Sequence, residues 1–140
     1  MEFKLEKAER YVLLRAGEGP FNAEAAAPFE TTARGLFREG FSRLIVDLAT
    51  VNAIDEAGLL GIRKINRQCT NELGLLVLVT KDEALTEFLE TTTAAADLLV
   101  LPTVEEAIDA VFMNELENDF GSGAEDEYDG ELDENVEPER

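Results

Sequence analysis

Residues 45–62 read IVDLATVNAIDEAGLLGI, and the order of residue types in this stretch decides the fold. Its first part belongs to an apolar run, LIVDLA over 44–49, interrupted only by Asp47. Such a run suits a strand covered on both faces, because a strand with one wet face alternates apolar and polar residues. Its last part has helical spacing. Leu59, Ile62, Ile65, Cys69 and Leu73 share one face, and Arg63, Lys64 and Arg67 lie away from it. Between them stands AIDEAG, residues 53–58, with two adjacent carboxylates, Asp55 and Glu56. Asp55 precedes the helix and is a favoured N-cap, accepting backbone N–H bonds of the first turn. Glu56 meets the positive end of the helix dipole, and Gly58 permits close approach of helix and strand.

Outward from this segment the pattern repeats. FKLEKAER and YVLLRA read as two short strands paired through a turn near Ala8 to Arg10. Asn22 opens a helix that carries Phe29, Ala33, Leu36 and Phe37 on one face, with Pro28 early in it and Gly40 closing it. Gly74 ends the helix that follows AIDEAG. LLVLVT, residues 75–80, is a second buried strand. Lys81-Asp82 begins a short helix with Ala84, Leu85, Phe88 and Leu89 inward. The run Thr91-Thr92-Thr93 reads as its end rather than a phosphorylation site. LLVL, residues 98–101, is a last strand. Thr103 then caps a helix, with Glu106 completing a capping box and Ala107, Ile108, Val111 and Phe112 forming its buried stripe. Strands alternating with helices imply an α/β domain with a mainly parallel central sheet and about four helices.

The chain divides by composition. Residues 1–120 hold the alternating elements, and 121–140, GSGAEDEYDGELDENVEPER, are rich in acids and poor in apolar side chains. A segment of that kind buries too little surface to offset its ordering entropy, so a disordered acidic tail is expected. Tyr128 is the one residue in it that suggests a short linear motif.

Charge and missing residue types narrow the chemistry. The net charge of −19 over 140 residues argues against nucleic acid and anionic membrane as partners, since both need a basic footprint. There is no histidine, which removes the commonest general base and zinc ligand. Cys69 is the only cysteine, so no internal disulfide forms and a core role is expected. No apolar run reaches the ~20 residues of a membrane span, and MEFKLEKAER has no apolar signal core. A cytoplasmic protein is expected.

The acid pair itself does not read as a catalytic device. Neighbouring residues at a strand end point to opposite sides, whereas paired catalytic carboxylates face each other from separate elements. The oxygen spacing of a calcium loop is absent as well. The expectation is no enzymatic activity, no cofactor and no metal.

Element order and motif residues together resemble the STAS domain family, the fold of bacterial anti-sigma factor antagonists. In that family a strand ending like VLDLS leads through a short apolar stretch to Asp-Ser-Ser/Thr-Gly and a helix beginning Leu-Gly. Here Asp47 matches the strand aspartate, Asp55 the motif aspartate and Gly58 the motif glycine, while Leu59 and Gly61 match the helix start loosely. Ala27-Pro28, LLVLVT and LLVLPTVEEAIDAV resemble the family's first helix, later strand and closing helix. The resemblance runs from about residue 3 to about 115.

It implies a protein-binding regulatory and signalling module of transcription, an anti-anti-sigma protein whose partner is a kinase-fold anti-sigma factor. The partner-binding loop would be Asp55, Glu56, Ala57 and Gly58. The family's phosphoacceptor hydroxyl precedes the glycine. At that place stands Ala57, which cannot take phosphate, and the usual serine before it is Glu56. Glu56 either caps the helix electrostatically or imitates phosphate weakly; one charge, one position away, favours the first. Arg63, Lys64 and Arg67 are the densest basic cluster. They are a solvated helix face, a docking face beside the loop, or a place for the acidic tail to fold back. Two other roles fit the same domain: a STAS accessory subunit of a phospholipid ABC-type transport complex, and a small-ligand-binding STAS domain.

Overall fold

The computed structural model describes residues 1–118. Within them five strands form one sheet in the order β1 (Phe3–Lys7), β2 (Val12–Ala16), β4 (Arg43–Asp47), β6 (Leu75–Val79), β7 (Leu99–Leu101), and two short strands, β3 (Gly19–Phe21) and β5 (Val51–Ile54), pair separately. β1 and β2 form an antiparallel hairpin with Phe3 opposite Ala16. β4, β6 and β7 add to it in parallel. The helices are α1 (Ala23–Arg38), α2 (Glu56–Asn71), α3 (Glu83–Thr91) and α4 (Val104–Leu116), with a single 3-10 turn at Thr93–Ala95.

Both faces of the sheet are covered, which is why its central strands β4 and β6 are mostly apolar. Val12, Leu14, Leu44, Val46, Leu76 and Leu78 pack on one side with α1, α2 and α3. Leu13, Ile45, Val77 and Val79 pack on the other with Ala107 and Val111 of α4. Parallel strands require crossover connections, and here helices supply them.

β3 (Gly19–Phe21) and β5 (Val51–Ile54) pair in parallel. Each leads directly into a helix, β3 into α1 through Asn22 and β5 into α2 through Asp55. Their pairing brings the amino ends of α1 and α2 side by side. The Asp55 N–H donates to the Phe21 carbonyl at 3.3 Å. Phe21 also closes a ring cluster with Phe3 and Phe29, at centroid distances of 6.1, 5.8 and 5.5 Å. Neither short strand was expected from the sequence, where 51–54 counted only as an apolar stretch.

The helix ends show where the sequence reading held and where it did not. Asn22, Asp55, Asp82 and Thr103 are all N-caps whose side chains accept first-turn N–H groups. At Thr103 the reciprocal half differs from a capping box: its hydroxyl donates to the Glu106 carboxylate at 3.1 Å while accepting from the Glu106 N–H. Gly40 has φ +99 and follows α1 in a left-handed turn, as a helix-ending glycine should. After α2 that role falls to Leu73 instead, with φ 63. Leu73 N–H donates to Thr70 O at 3.0 Å and Gly74 N–H to Cys69 O at 2.7 Å, the two bonds of a Schellman motif. Gly74 is needed for another reason: a Cβ there would stand 1.9 Å from the Ser42 carbonyl oxygen.

Three expected core positions are therefore corrected. Leu73 lies beyond the last helical turn and is 61% exposed. Phe112 is 43% exposed, because the buried stripe of α4 is narrow and runs through Ala107 and Val111. Ala84 is exposed, at the start of α3. The acidic segment 121–140, with Tyr128, lies outside the described residues.

Candidate functional site

The AIDEAG turn is built from two constraints. Asp55 Oδ1 accepts the Gly58 N–H at 2.8 Å, and Asp55 O accepts the Leu59 N–H at 2.9 Å, so the cap and the first α-helical bond lie on one residue. Gly58 is buried against β3, where a Cβ would stand 2.0 Å from the Phe21 carbonyl oxygen and 3.0 Å from its ring. Capping by Asp55 and close approach at Gly58 thus hold the loop at a fixed height over β3. Asp55, Glu56 and Ala57 are all exposed. Glu56 makes no side-chain hydrogen bond among the described residues, so its effect on α2 is that of a charge in the first turn.

Helical spacing carries this surface along α2. The positions that follow Glu56 and Ala57 on the outward side are Leu60, Arg63, Lys64 and Arg67. Lys64 and Arg67 are exposed and Arg63 is half-buried. Arg63 and Arg67 line a groove of about 230 Å³ with Asn66, Thr70, Asn71, Asp97 and Leu98. The structure therefore joins the two groups of candidate residues in one strip, with the loop at its amino end and the cations toward its carboxyl end.

Leu60 completes the strip and was missed by the sequence reading. It is 50% exposed, an apolar side chain between Ala57 and Lys64 on the open side of the helix. The signal was present in the spacing: Leu60 falls three residues after Ala57, off the face defined by Leu59, Ile62 and Ile65.

The strand aspartate has a structural role in this chain. Asp47 Oδ2 accepts from Arg15 Nη1 at 2.9 Å and Oδ1 from the Ala49 N–H at 3.0 Å. Arg15 also donates to Glu6 at 2.7 Å. Its guanidinium is held above its ordinary value first by the Glu6 hydrogen bond and charge, then by Asp47. Asp47 also lines a groove of about 650 Å³ at the carboxyl ends of β4, β6 and β7, with Thr80, Lys81, Asp82 and the first turn of α4 around it. Cys69 is fully buried in the core, and burial, helped by Glu72, pushes its thiol up to about 12. Among the described residues no three Cys, Asp or Glu side chains converge as a metal ion would require, and no helix is long and apolar enough to cross a membrane.

The sequence profile of the STAS domain matches residues 2–107. Among solved structures, a candidate anti-sigma factor antagonist from Thermotoga maritima superposes with a TM-score of 0.70 at 22% identity, covering 79% of this chain and 94% of that one. An anti-sigma factor antagonist from Mycobacterium paratuberculosis gives 0.68 at 18% identity, covering 79% and 93%. The Bacillus cell fate determinant SpoIIAA in its phosphorylated form gives 0.60 at 19% identity, covering 79% and 99%. Comparison with curated protein sequences gives no match. At these identities the structural likeness establishes the fold.

Proposed function

This chain belongs to the STAS domain family, and from that premise we propose that it is a non-catalytic regulatory module that docks a protein partner through the α2 strip. In this reading it works as an anti-sigma factor antagonist, and the partner is a kinase-fold anti-sigma factor. The observation that carries the reading is the strip itself: an exposed leucine, Leu60, between the Asp55–Ala57 loop and the cations Arg63, Lys64 and Arg67. An apolar side chain rimmed by charge on a helix matches, on a small scale, the apolar centre and polar rim of a protein interface.

The family's phosphoacceptor position is Ala57. One structural relative is a protein whose structure is that of a phosphorylated form; a methyl group at the matching place gives this chain no such switch. Docking would be constitutive at this residue, with Glu56 tuning helix stability rather than imitating phosphate. The test is retention of a kinase-fold partner from native lysate by wild-type protein and by Leu60→Glu. The strip reading expects retention by the first and loss by the second, with incubation in ATP leaving residue 57 unmodified.

A second reading rests on a separate observation, the groove at the carboxyl ends of β4, β6 and β7. Open parallel sheets bind small ligands at that edge. Lys81 and the Thr80 and Thr103 hydroxyls stand among its polar groups, against carboxylates of Asp47, Asp82 and Glu105. A ligand-binding role would appear as stabilisation by a metabolite pool that Val79→Trp abolishes and Leu60→Glu leaves intact.

A further inference from the structure

The last described residue lies at the end of the basic helix. Asn118 Nδ2 donates to Leu73 O at 2.6 Å and to Asn114 O at 3.0 Å, and Arg43 Nε donates to Asn114 Oδ1 at 2.8 Å. These bonds pin the carboxyl end of α4 against the carboxyl end of α2, although the two helices cover opposite faces of the sheet. The described chain therefore ends at Asn118, beside Leu73. Arg67 lies six residues back along α2 and Arg63 ten, about 9 and 15 Å at the helical rise.

The sequence beyond that point is strongly acidic. Residues 119–140 contain ten Asp and Glu and one Arg, and the densest run, Glu125–Asp129, begins seven residues after Asn118. A flexible linker of seven to eleven residues has a root-mean-square reach of about 15–18 Å, which matches the distance back to Arg63 and Arg67. At such a match the local concentration of the tethered segment is in the millimolar range, as an order of magnitude.

The cations at that distance are unspent. Lys7, Arg10, Arg15 and Arg34 are each committed to ion pairs. Arg63, Lys64 and Arg67 make none among the described residues. One carboxylate, Asp97, lines the groove with Arg63 and Arg67, and Glu72 lies further along, so the cationic end of the strip keeps a positive surplus.

We propose that the acidic segment of this same chain, centred on Glu125–Asp129, docks along Arg63, Lys64 and Arg67. The contact is electrostatic and sensitive to salt, because exposed pairs are individually weak. It covers the cationic half of the strip and leaves the Asp55–Ala57 loop open. Competition with a docked protein is a consequence that rests on the docking reading above; the contact itself does not.

The test uses the full chain. Cys69 is buried and its thiol is held protonated, so a spin label attached through Gly130→Cys modifies only the tail. At low salt the label is expected to broaden amide resonances of 60–67 strongly. Broadening is expected to vanish in about 0.5 M NaCl, in Arg63→Glu/Lys64→Glu/Arg67→Glu, and in a chain carrying Glu125→Gln, Asp126→Asn, Glu127→Gln and Asp129→Asn. The last variant leaves the folded body untouched, which guards against a surface variant that fails to fold. Broadening confined to 110–118, or unchanged by either set of substitutions, overturns the proposal. So does broadening that appears only when a labelled chain is mixed with an isotope-labelled unlabelled one, since the occupant would then be a second copy.

Discussion

Gly58 and the carbonyl oxygen of Phe21 are so close that a Cβ at position 58 would stand 2.0 Å from that oxygen. The neighbour is backbone in a short strand, so it cannot yield as a flexible side chain would. The Asp55 N–H bonds to the same carbonyl, which ties the cap of α2 to β3 as well.

Gly58→Ala is accordingly expected to lower stability by about 2–3 kcal/mol or more, as overpacking against fixed atoms does. Gly35 is the contrast. It lies inside α1 with open space where a Cβ would go, so Gly35→Ala should raise stability by about 0.4–1 kcal/mol. Denaturant unfolding of the two variants beside wild type checks both signs. Equal effects would mean that packing at Gly58 is not what requires glycine.

Leu73 ends α2 in a left-handed conformation that ordinary side chains adopt at a cost of about 1–2 kcal/mol. Its side chain is exposed and gives little back through packing. Leu73→Gly should therefore stabilise the protein, by about 0.5–1 kcal/mol after the added chain entropy of glycine in the unfolded state. Thermal unfolding of the variant reads this directly. A loss of stability would show that the leucine packs in a way its exposure conceals.

How much of this was legible in the sequence follows from the same residues. The runs 44–49 and 75–80 marked buried central strands because both faces are covered, and the four caps marked helix starts because Asn, Asp and Thr accept first-turn N–H groups. β3 and β5 escaped because they are three and four residues long and contain Gly-Pro and an exposed Asn52. Their pairing is set by the helices they feed, not by any alternation of their own. Leu73 and Phe112 continue an apolar period past the point where the helix ends or its neighbour recedes, and periodicity alone does not carry that information. At the site, the loop and the cations were legible as separate groups. Leu60, which joins them, belongs neither to the apolar face nor to the cation cluster, and so carried no assignment.

Cys69 gives a pH dependence with a definite sign. Its thiol is raised from the usual ~8.5 to about 12 by burial and then by Glu72, so the folded state keeps a proton that the unfolded state releases. Stability from this group is fully present below the unfolded value and is lost as pH rises toward about 12, at roughly 1.4 kcal/mol per pH unit. Between pH 9 and 11 the wild type should lose stability more steeply than Cys69→Ala, measured by urea midpoints. Parallel slopes would contradict the burial of this thiol, as would rapid labelling by a thiol reagent at pH 8 without denaturant.

The two acids of the motif loop separate by their roles. Asp55→Ala removes a side-chain cap and should cost about 1 kcal/mol. Glu56→Ala removes only a charge in the first turn and should cost about 0.3–1 kcal/mol, with partner affinity unchanged. A clear change in affinity for Glu56→Ala at constant fold would instead favour imitation of phosphate.

The central claim, that the Asp55–Ala57 loop and the α2 strip form the docking surface, is tested most directly by calorimetric titration at position 57. The titrant is a kinase-fold partner recovered from native lysate, run against wild type, Ala57→Ser and Ala57→Asp. Ala57 is exposed in the first turn of α2, so neither substitution disturbs packing. The account predicts that Ala57→Asp weakens binding by about tenfold or more, a charge placed in the contact surface. It also predicts that Ala57→Ser binds like wild type until ATP converts it to a phosphorylated, weakly binding form. An Ala57→Asp variant that binds as tightly as wild type would contradict it, and the small-ligand or transport-subunit role would then stand in its place.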